Sequence, residues 1–425
     1  MNRRVAIAGC GPAGATLASL LAARGVDVAV FNGGKRPPLL VGESLIPAII
    51  PLLRELGVED EVAAISRVKP GATFYWQQDW PVVFDFTSVE GILPTYAYNV
   101  PRPAFDRILE ERARRGGARW IEAEARLAKS GEGKHGELSL GEESLARVPD
   151  WEGKQPDVIV DASGRRRRAA GLLDIPARLG PRKDVAIFAH YKGWDHGDRA
   201  GQIQISRRAA GNGWHWQIPL SDRMSVGAVL HADAAAAMGG TAEEKLENAI
   251  ASDPLLAERG THRWRVSEAA VYANYQLISQ RGAGRGWAST GDAFGFVDPM
   301  LSPGLRVAMY GARMLADAIL AWKKPGLLPA EAFDVYGKRM IPLLEAWQAI
   351  IRRFYDGSIM AAYATGMSIR ERFPGRLSGM MRNHVQRHFA AMACGADTEK
   401  RHRRGMMDFP CSHPRGYDPA AHAIA

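Results

Sequence analysis

The sequence predicts an α/β fold. A parallel βαβ unit stands at its head, a mixed β-sheet is interleaved with that unit, and a helical region ends the chain. Three observations carry the prediction. A glycine-rich turn separates an apolar run from Ala-rich, helix-forming sequence within the first 31 residues. A stretch from about 185 to 271 holds runs that alternate or stay apolar, as strands do. From 329 to about 405 the sequence reads as mostly helical, with Met, Phe and Tyr spaced along it.

The opening element is an apolar run ending in Gly9, Gly11 and Gly14 at G-x-G-x-x-G spacing, then a helix, then a second apolar run over 26–31. This is the order of a dinucleotide-binding, Rossmann-like unit. Gly9 permits the tight turn, Gly11 lets backbone approach a pyrophosphate, and Gly14 lets the helix pack on the strand. Pro12 and Ala13 open the helix, whose N–H groups face the phosphates. The second strand closes on Asn32, where an acidic residue is expected; an amide still bonds a ribose hydroxyl, without the charge.

Gly42-Glu43-Ser44 is a polar triplet among apolar neighbours and predicts a polar pocket beside the cofactor. A short amphipathic helix is expected over 47–56 and a strand over 72–76, with Lys69 just before it. Arg102 and Asp106 open a strong helix running to about 115, at the end where a phosphate-bearing ligand sits well. A strand over 157–161 ends in the turn Asp161-Ala-Ser-Gly164, which suits close approach of a cofactor. Trp214 and Trp216 share one face of a strand by its period of two; such pairs are usually core. A later strand ends at Gly291-Asp292, and a loop leads to a helix over about 303–322. Ser302 is a good N-cap for it and Pro303 fits its first turn. Its positive end is thereby aimed at Asp298, Pro299 and Gly304, where an anionic reduced flavin would gain.

The bulk numbers set bounds. At 425 residues and 46% apolar content the chain has room for two or three packed units. It has no apolar run long enough to span a membrane. Three cysteines, Cys10, Cys394 and Cys411, give neither a disulfide framework nor metal-ligand spacing. With no signal peptide expected ahead of the glycine motif, a cytoplasmic protein is predicted. The net charge of +9 includes runs at Arg165–Arg168 and around 400–404. They read as solvated surface or as a docking face for an anionic partner; no nucleic-acid module accompanies them. The expected division is a discontinuous nucleotide-binding domain (1–70, 100–175, 280–330), a substrate-domain sheet (71–99, 176–279) and a helical C-terminal lid (331–425).

Taken together, the N-terminal glycine motif, Asp161-Ala-Ser-Gly164 and Gly291-Asp292 resemble the FAD-dependent monooxygenases, with a glutathione-reductase-type FAD domain. Within them the chain looks more like the flavin-dependent halogenases. The most specific match is Gly213-Trp214-His-Trp216-Gln-Ile218-Pro219, which fits that family's W-x-W-x-I-P signature. Gly42-Glu43-Ser44, Lys69 to Trp76, and Asp298 to Gly304 fall in the family's order. The resemblance implies FAD, reduced by a separate flavin reductase, and chloride or bromide as co-substrate. It implies halide near Ser302, Pro303 and Gly304, and a flavin wall made by Trp214 and Trp216. It makes Lys69 the catalytic residue, which holds or relays a hypohalous species to an electron-rich ring. Free-tryptophan halogenases carry a glutamate before the Ser-x-Gly element, where this chain has Leu301. The resemblance therefore points to phenolic or pyrrolic groups, free or tethered to a carrier protein. Pro303 removes one N–H that a halide could use. A hydroxylase of the same fold stays open as an alternative; a flavin-binding docking protein gives no reason for Lys69 and the paired tryptophans.

Overall fold

The computed structural model describes residues 3–33, 37–77, 80–130, 137–208, 210–274, 276–364, 387, 390–396, 411 and 417–424. The basic run around 400–404 lies outside the described residues. Strand Arg4–Ala8 sits inside a six-stranded sheet. It pairs in parallel with Asp27–Phe31 on one side and Val158–Asp161 on the other, so Ala8 lies level with both Phe31 and Asp161. Arg119–Ile121 extends the first edge. Trp287–Ser289 extends the second in parallel, and Ala283–Gly284 closes that edge antiparallel. The carboxyl ends of three parallel strands thus bring Gly9, Ala162 and Thr290 to one rim, the place where open α/β sheets bind ligands. Helices Pro12–Ala22, Arg102–Arg115 and Pro303–Ala321 pack together beside this sheet. The βαβ order and the helix from Arg102 to Arg115 follow the sequence reading.

The second sheet has eight strands. Asp184–Lys192, Met224–His231, Gly213–Pro219 and Ile203–Arg207 run antiparallel in that spatial order. Ile203–Arg207 then pairs in parallel with Gly71–Gln77, which forms an antiparallel pair with Trp80–Asp85. One face carries Phe188, Ile203, Ile205, Trp214, Trp216 and Phe74, all buried toward the flanking helices. The other is covered by Ala232–Ala236, Ala242–Ala251 and Pro254–Arg259 through Leu246, Ile250 and Leu256. Burial on both faces explains the near-continuous apolar runs.

These three helices interrupt the strand-rich stretch expected over 185–271. Their signals were local: Thr241 and Glu244 form a reciprocal capping box, and Asp253 caps the helix that Pro254 opens. Near the C-terminus, helix Asp334–Tyr355 packs on Pro303–Ala321 and buries Trp347, Ile351 and Phe354. Residues 417–424 hold one short turn, Pro419–His422. They are tied back by Ile424 N–H to Tyr355 O (2.7 Å) and Trp76 Nε1–H to His422 O (2.8 Å).

Candidate active site

At the rim of the parallel sheet each glycine of the first turn has its own reason. Gly9 has φ +114°, and a Cβ there would lie 2.3 Å from Ala162 O. A Cβ on Gly14 would lie 2.1 Å from Gly9 O. Both are therefore required by the fold. A Cβ on Gly11 would meet nothing within 4 Å. Gly11 lines a cavity of about 300 Å³, so only a group inside that cavity explains its missing side chain. The helix behind it has no side-chain cap, and its first-turn N–H groups are left for that group. This cradle fits a diphosphate.

The same cavity is lined by Pro12, Ala13, Gly42, Glu43, Ser44, Arg102, Asp292, Pro299, Ser302, Gly304, Trp214 and Trp216. Asn32 and Pro303 are not among its lining. The Asn32 amide donates to Glu122 Oε2 (3.2 Å) and its carbonyl accepts from Cys10 Sγ (2.8 Å), so its hydrogen bonds go to protein. Arg102 is likewise committed: it forks onto Asp106 (3.0 and 3.3 Å) and donates to Val41 O, clamping the 41–45 segment rather than presenting a free cation. Asp292 touches the cavity yet is enclosed by protein. That enclosure pushes its carboxyl above the usual carboxylate range, against the pull of Arg165 and Arg102. Asp161 is structural: its carboxylate accepts from Ser163 N–H (3.0 Å), Ser163 Oγ and Ala169 N–H (2.7 Å) and so shapes the turn. Arg165, read as part of a basic run that is solvated surface or a docking face, lines the cavity and lies over Phe296 at 4.8 Å.

Glu43 departs from the expected cofactor contact. Both carboxylate oxygens accept from His190 Nε2 (2.9 and 3.1 Å), while His190 Nδ1 accepts from Arg223 Nε (3.0 Å). A buried carboxylate needs such a partner, and one 147 residues away supplies it. Ser44 turns to Lys69, whose Nζ donates to Ser44 Oγ (2.8 Å) and Leu45 O (2.9 Å) and stands 5.4 Å from the Phe86 ring centre. Lys69 ends the strand Arg67–Lys69, which pairs with Ala97–Asn99. It is 3% exposed, and burial lowers its ammonium from 10.5 to about 7, against a smaller raising influence of Cys394. It can therefore act as amine or ammonium at neutral pH. The Cys394 thiol is pushed up to about 12 by its own burial.

Lys69 lines a second, smaller cavity of about 40 Å³, with Phe74, Phe84, Phe86, Phe354, Asp85 and Cys394. Four residues, Ile203, Ile205, Leu301 and Ser302, line both cavities. The partition is therefore made of three aliphatic residues and one serine. Trp214 and Trp216 line only the larger cavity. Trp214 Nε1–H donates to Tyr355 Oη (3.1 Å), whose hydroxyl donates to Asp298 Oδ1 (3.1 Å); Trp216 Nε1–H donates to Ser225 Oγ (3.3 Å).

Ser302 is the residue before the helix, as expected, but its side chain makes no cap. Leu301 (φ 66°) and Ser302 (φ 57°) are both left-handed, a conformation that disfavours side chains with a Cβ. Ser302 N–H donates to Pro299 O (3.0 Å), and Pro303 has no N–H. The first N–H of this helix left for an anion in the cavity is therefore that of Gly304.

A family model described as tryptophan halogenase matches residues 86–358, and one described as FAD binding domain matches residues 2–144. The chain belongs to the tryptophan halogenase family. It is an FAD-dependent enzyme of the flavin halogenase fold, with halide as co-substrate. Among curated relatives, the chain is 28% identical over 372 residues to a tryptophan 2-halogenase of Chondromyces crocatus, covering 84% of this chain and 68% of that protein. It is 28% identical over 387 residues to a 1H-pyrrole-2-carbonyl-[peptidyl-carrier protein] chlorinase of Pseudomonas fluorescens, covering 84% of each. Among solved structures, the myxobacterial chondrochloren halogenase CndH matches with a TM-score of 0.71 at 25% identity, over 92% of this chain and 97% of that one. Among the described residues of this family member, no helix is long and apolar enough to cross a membrane.

The sequence reading missed His190, the Ile203/Ile205 partition, Tyr355 and Asp85. His190 carried a weak signal, as a polar residue inside an apolar strand; the others look like ordinary core or surface positions.

Proposed function

We propose that this chain puts chlorine or bromine on a phenolic or pyrrolic ring presented by a carrier protein, using FAD reduced by a separate flavin reductase. One observation carries the reading. A glycine-lined cavity and a lysine-bearing cavity lie back to back, sharing Ile203, Ile205, Leu301 and Ser302. A small neutral oxidant can cross such a partition where an aromatic ring cannot. The carrier-bound substrate of the pyrrole chlorinase relative, and the chain's net charge of +9 against an acidic carrier, support the substrate class.

In this reading the parallel-sheet parts (1–70, 100–175, 280–330) hold the flavin, and the parts that carry the eight-stranded sheet (71–99, 176–279) wall the substrate side. Gly9, Gly11 and Gly14, with the N–H groups behind Pro12 and Ala13, hold the diphosphate. Ser44, Asp292 and Pro299 lie along the rest of the cofactor, and Glu43 and Arg102 brace the 41–45 segment beside it. When bound and reduced, FAD supplies with dioxygen the oxidising equivalents that turn halide into hypohalous acid. Gly304 N–H, at the positive end of its helix, faces the halide. Trp214 and Trp216 pack against the flavin, and the indole N–H of Trp214 fixes Tyr355 and through it Asp298. Lys69, as ammonium, donates a hydrogen bond to the hypohalous oxygen and makes the halogen more electrophilic.

The test reconstitutes the protein with FAD, a flavin reductase, NADH and chloride or bromide, and offers pyrrole-2-carboxyl and hydroxybenzoyl carrier thioesters. The expected product gains one halogen and loses one hydrogen by mass spectrometry. A product that gains only oxygen, at a rate independent of halide, makes this chain a hydroxylase and overturns the reading.

A further inference from the structure

We propose that Asp85 is the base that accepts the substrate's proton in the Lys69 cavity, and that it selects rings bearing an O–H or N–H. The inference rests on the halogenase reading above. Replacing hydrogen by halogen on a ring carbon releases a proton, and the cavity must take it up. Asp85 is the one carboxylate among the described residues lining that cavity. The carboxylates on the other side are unsuited: Glu43 is held by His190, and Asp292 and Asp298 line the cofactor cavity alone. Leu301 brings no acid to the shared partition.

Asp85 is also positioned. It ends the strand Trp80–Asp85 directly opposite Gly71, two residues after Lys69. One oxygen, Oδ1, accepts from Thr87 N–H at 2.8 Å, which fixes the carboxylate at the start of a short turn. Among the described residues nothing donates to Oδ2, and the residue is exposed. A fixed carboxylate with one oxygen open, an amine on the same cavity, and aromatic walls of Phe74, Phe84, Phe86 and Phe354 make a slot for a planar ring with a polar hydrogen.

The step balances as follows. The ring carbon attacks the halogen of hypohalous acid, forming carbon–halogen and breaking halogen–oxygen. The halogen is reduced and the ring carbon oxidised. The hydroxyl leaves as water with a proton from the Lys69 ammonium. The ring proton passes to Asp85, directly or through the substrate's own O–H or N–H, and returns to the lysine amine through solvent.

Asp85→Asn tests this, because Asn caps a turn as well as Asp and leaves the Thr87 hydrogen bond in place. The FAD-loaded protein with reductase and bromide is given resorcinol and pyrrole-2-carboxyl pantetheine thioester, each with hydrogen or deuterium at the reacting carbons. Hypohalous acid is measured separately with a soluble enol trap and no ring substrate. The expected result is trap halogenation within twofold of the parent and ring halogenation at least tenfold slower. A ring hydrogen/deuterium isotope effect rises from near one to two or more, and Asp85→Glu restores rate and isotope effect. Ring halogenation by Asp85→Asn at the parent rate with no isotope effect overturns the proposal. So does a parent that halogenates the trap but neither ring. A parent that yields no trapped hypohalous acid overturns the halogenase reading, and this proposal falls with it.

Discussion

Lys69→Met is the perturbation that asks most of this structure. It shortens the unbranched side chain by one atom and removes the titrating amine. Burial lowers the Lys69 ammonium from 10.5 to about 7. At about 1.4 kcal/mol per pKa unit, the folded protein disfavours the protonated lysine by about 5 kcal/mol relative to the unfolded chain. Below the folded value both states hold the proton and the penalty is full. Between about 7 and 10.5 the unfolded chain binds a proton that the folded protein does not, so stability rises with pH. From about pH 6 to about pH 9 this linkage returns roughly 3 kcal/mol to the parent and nothing to Lys69→Met. Urea unfolding of both proteins at the two pH values measures it, because other groups cancel in the difference. The stability advantage of Lys69→Met at pH 6 should shrink by that amount at pH 9. Ring halogenation should be lost in the variant, and in the parent should show an inflection near neutrality. A stability difference that stays constant between the two pH values would refute the reasoning: Lys69 would then titrate as a solvated amine, outside a dry cavity.

The remaining predictions concern glycines. Gly11→Val should fold with a stability within about 1 kcal/mol of the parent, since its Cβ meets open space, yet lose at least about tenfold in FAD affinity by fluorescence titration; a flavin-saturated variant contradicts the cradle. Gly14→Ala, whose Cβ would lie 2.1 Å from Gly9 O, should instead lose stability by about 1–3 kcal/mol in urea unfolding. A Cβ on Gly227 would lie 2.4 Å from the Trp216 ring and 2.5 Å from Phe188 Cβ. Gly227→Ala should therefore cost about 1–3 kcal/mol and shift tryptophan emission; unchanged emission and stability would mean that Trp216 is not fixed where the sheet puts it.

Much of the cofactor side was legible because its determinants are local. A strand, a glycine turn and a helix follow one another within 22 residues, and their spacing alone points to a dinucleotide. The helix from Pro303 was legible for the same reason. Its cap was not: Ser302 has the right side chain, but two successive left-handed residues turn it away from capping. Glu43 was legible only in part: a polar residue in an apolar stretch can line a ligand cavity or serve a distant partner, and here it lines the larger cavity while its carboxylate is held by His190. The tryptophans were legible as one face of a strand, but not as a lining of the larger cavity alone.

What the sequence by itself determined is the nucleotide turn and the family signature, since each is written in neighbouring residues; Lys69 stood out only through the resemblance those residues carry. What only the tertiary structure decided is which cavity each group serves. The parallel pairing of Ile203–Ser206 with Ala72–Tyr75, across 131 residues, sets the aliphatic partition between the cavities. The register that puts Asp85 opposite Gly71 brings a carboxylate to the lysine's cavity. The dryness that moves Lys69 toward neutrality comes from burial in a cavity walled by Phe74, Phe84, Phe86 and Phe354, which its own segment does not contain. Pairing between distant strands and exclusion of water by distant side chains have no local signal; they exist only once the chain has folded.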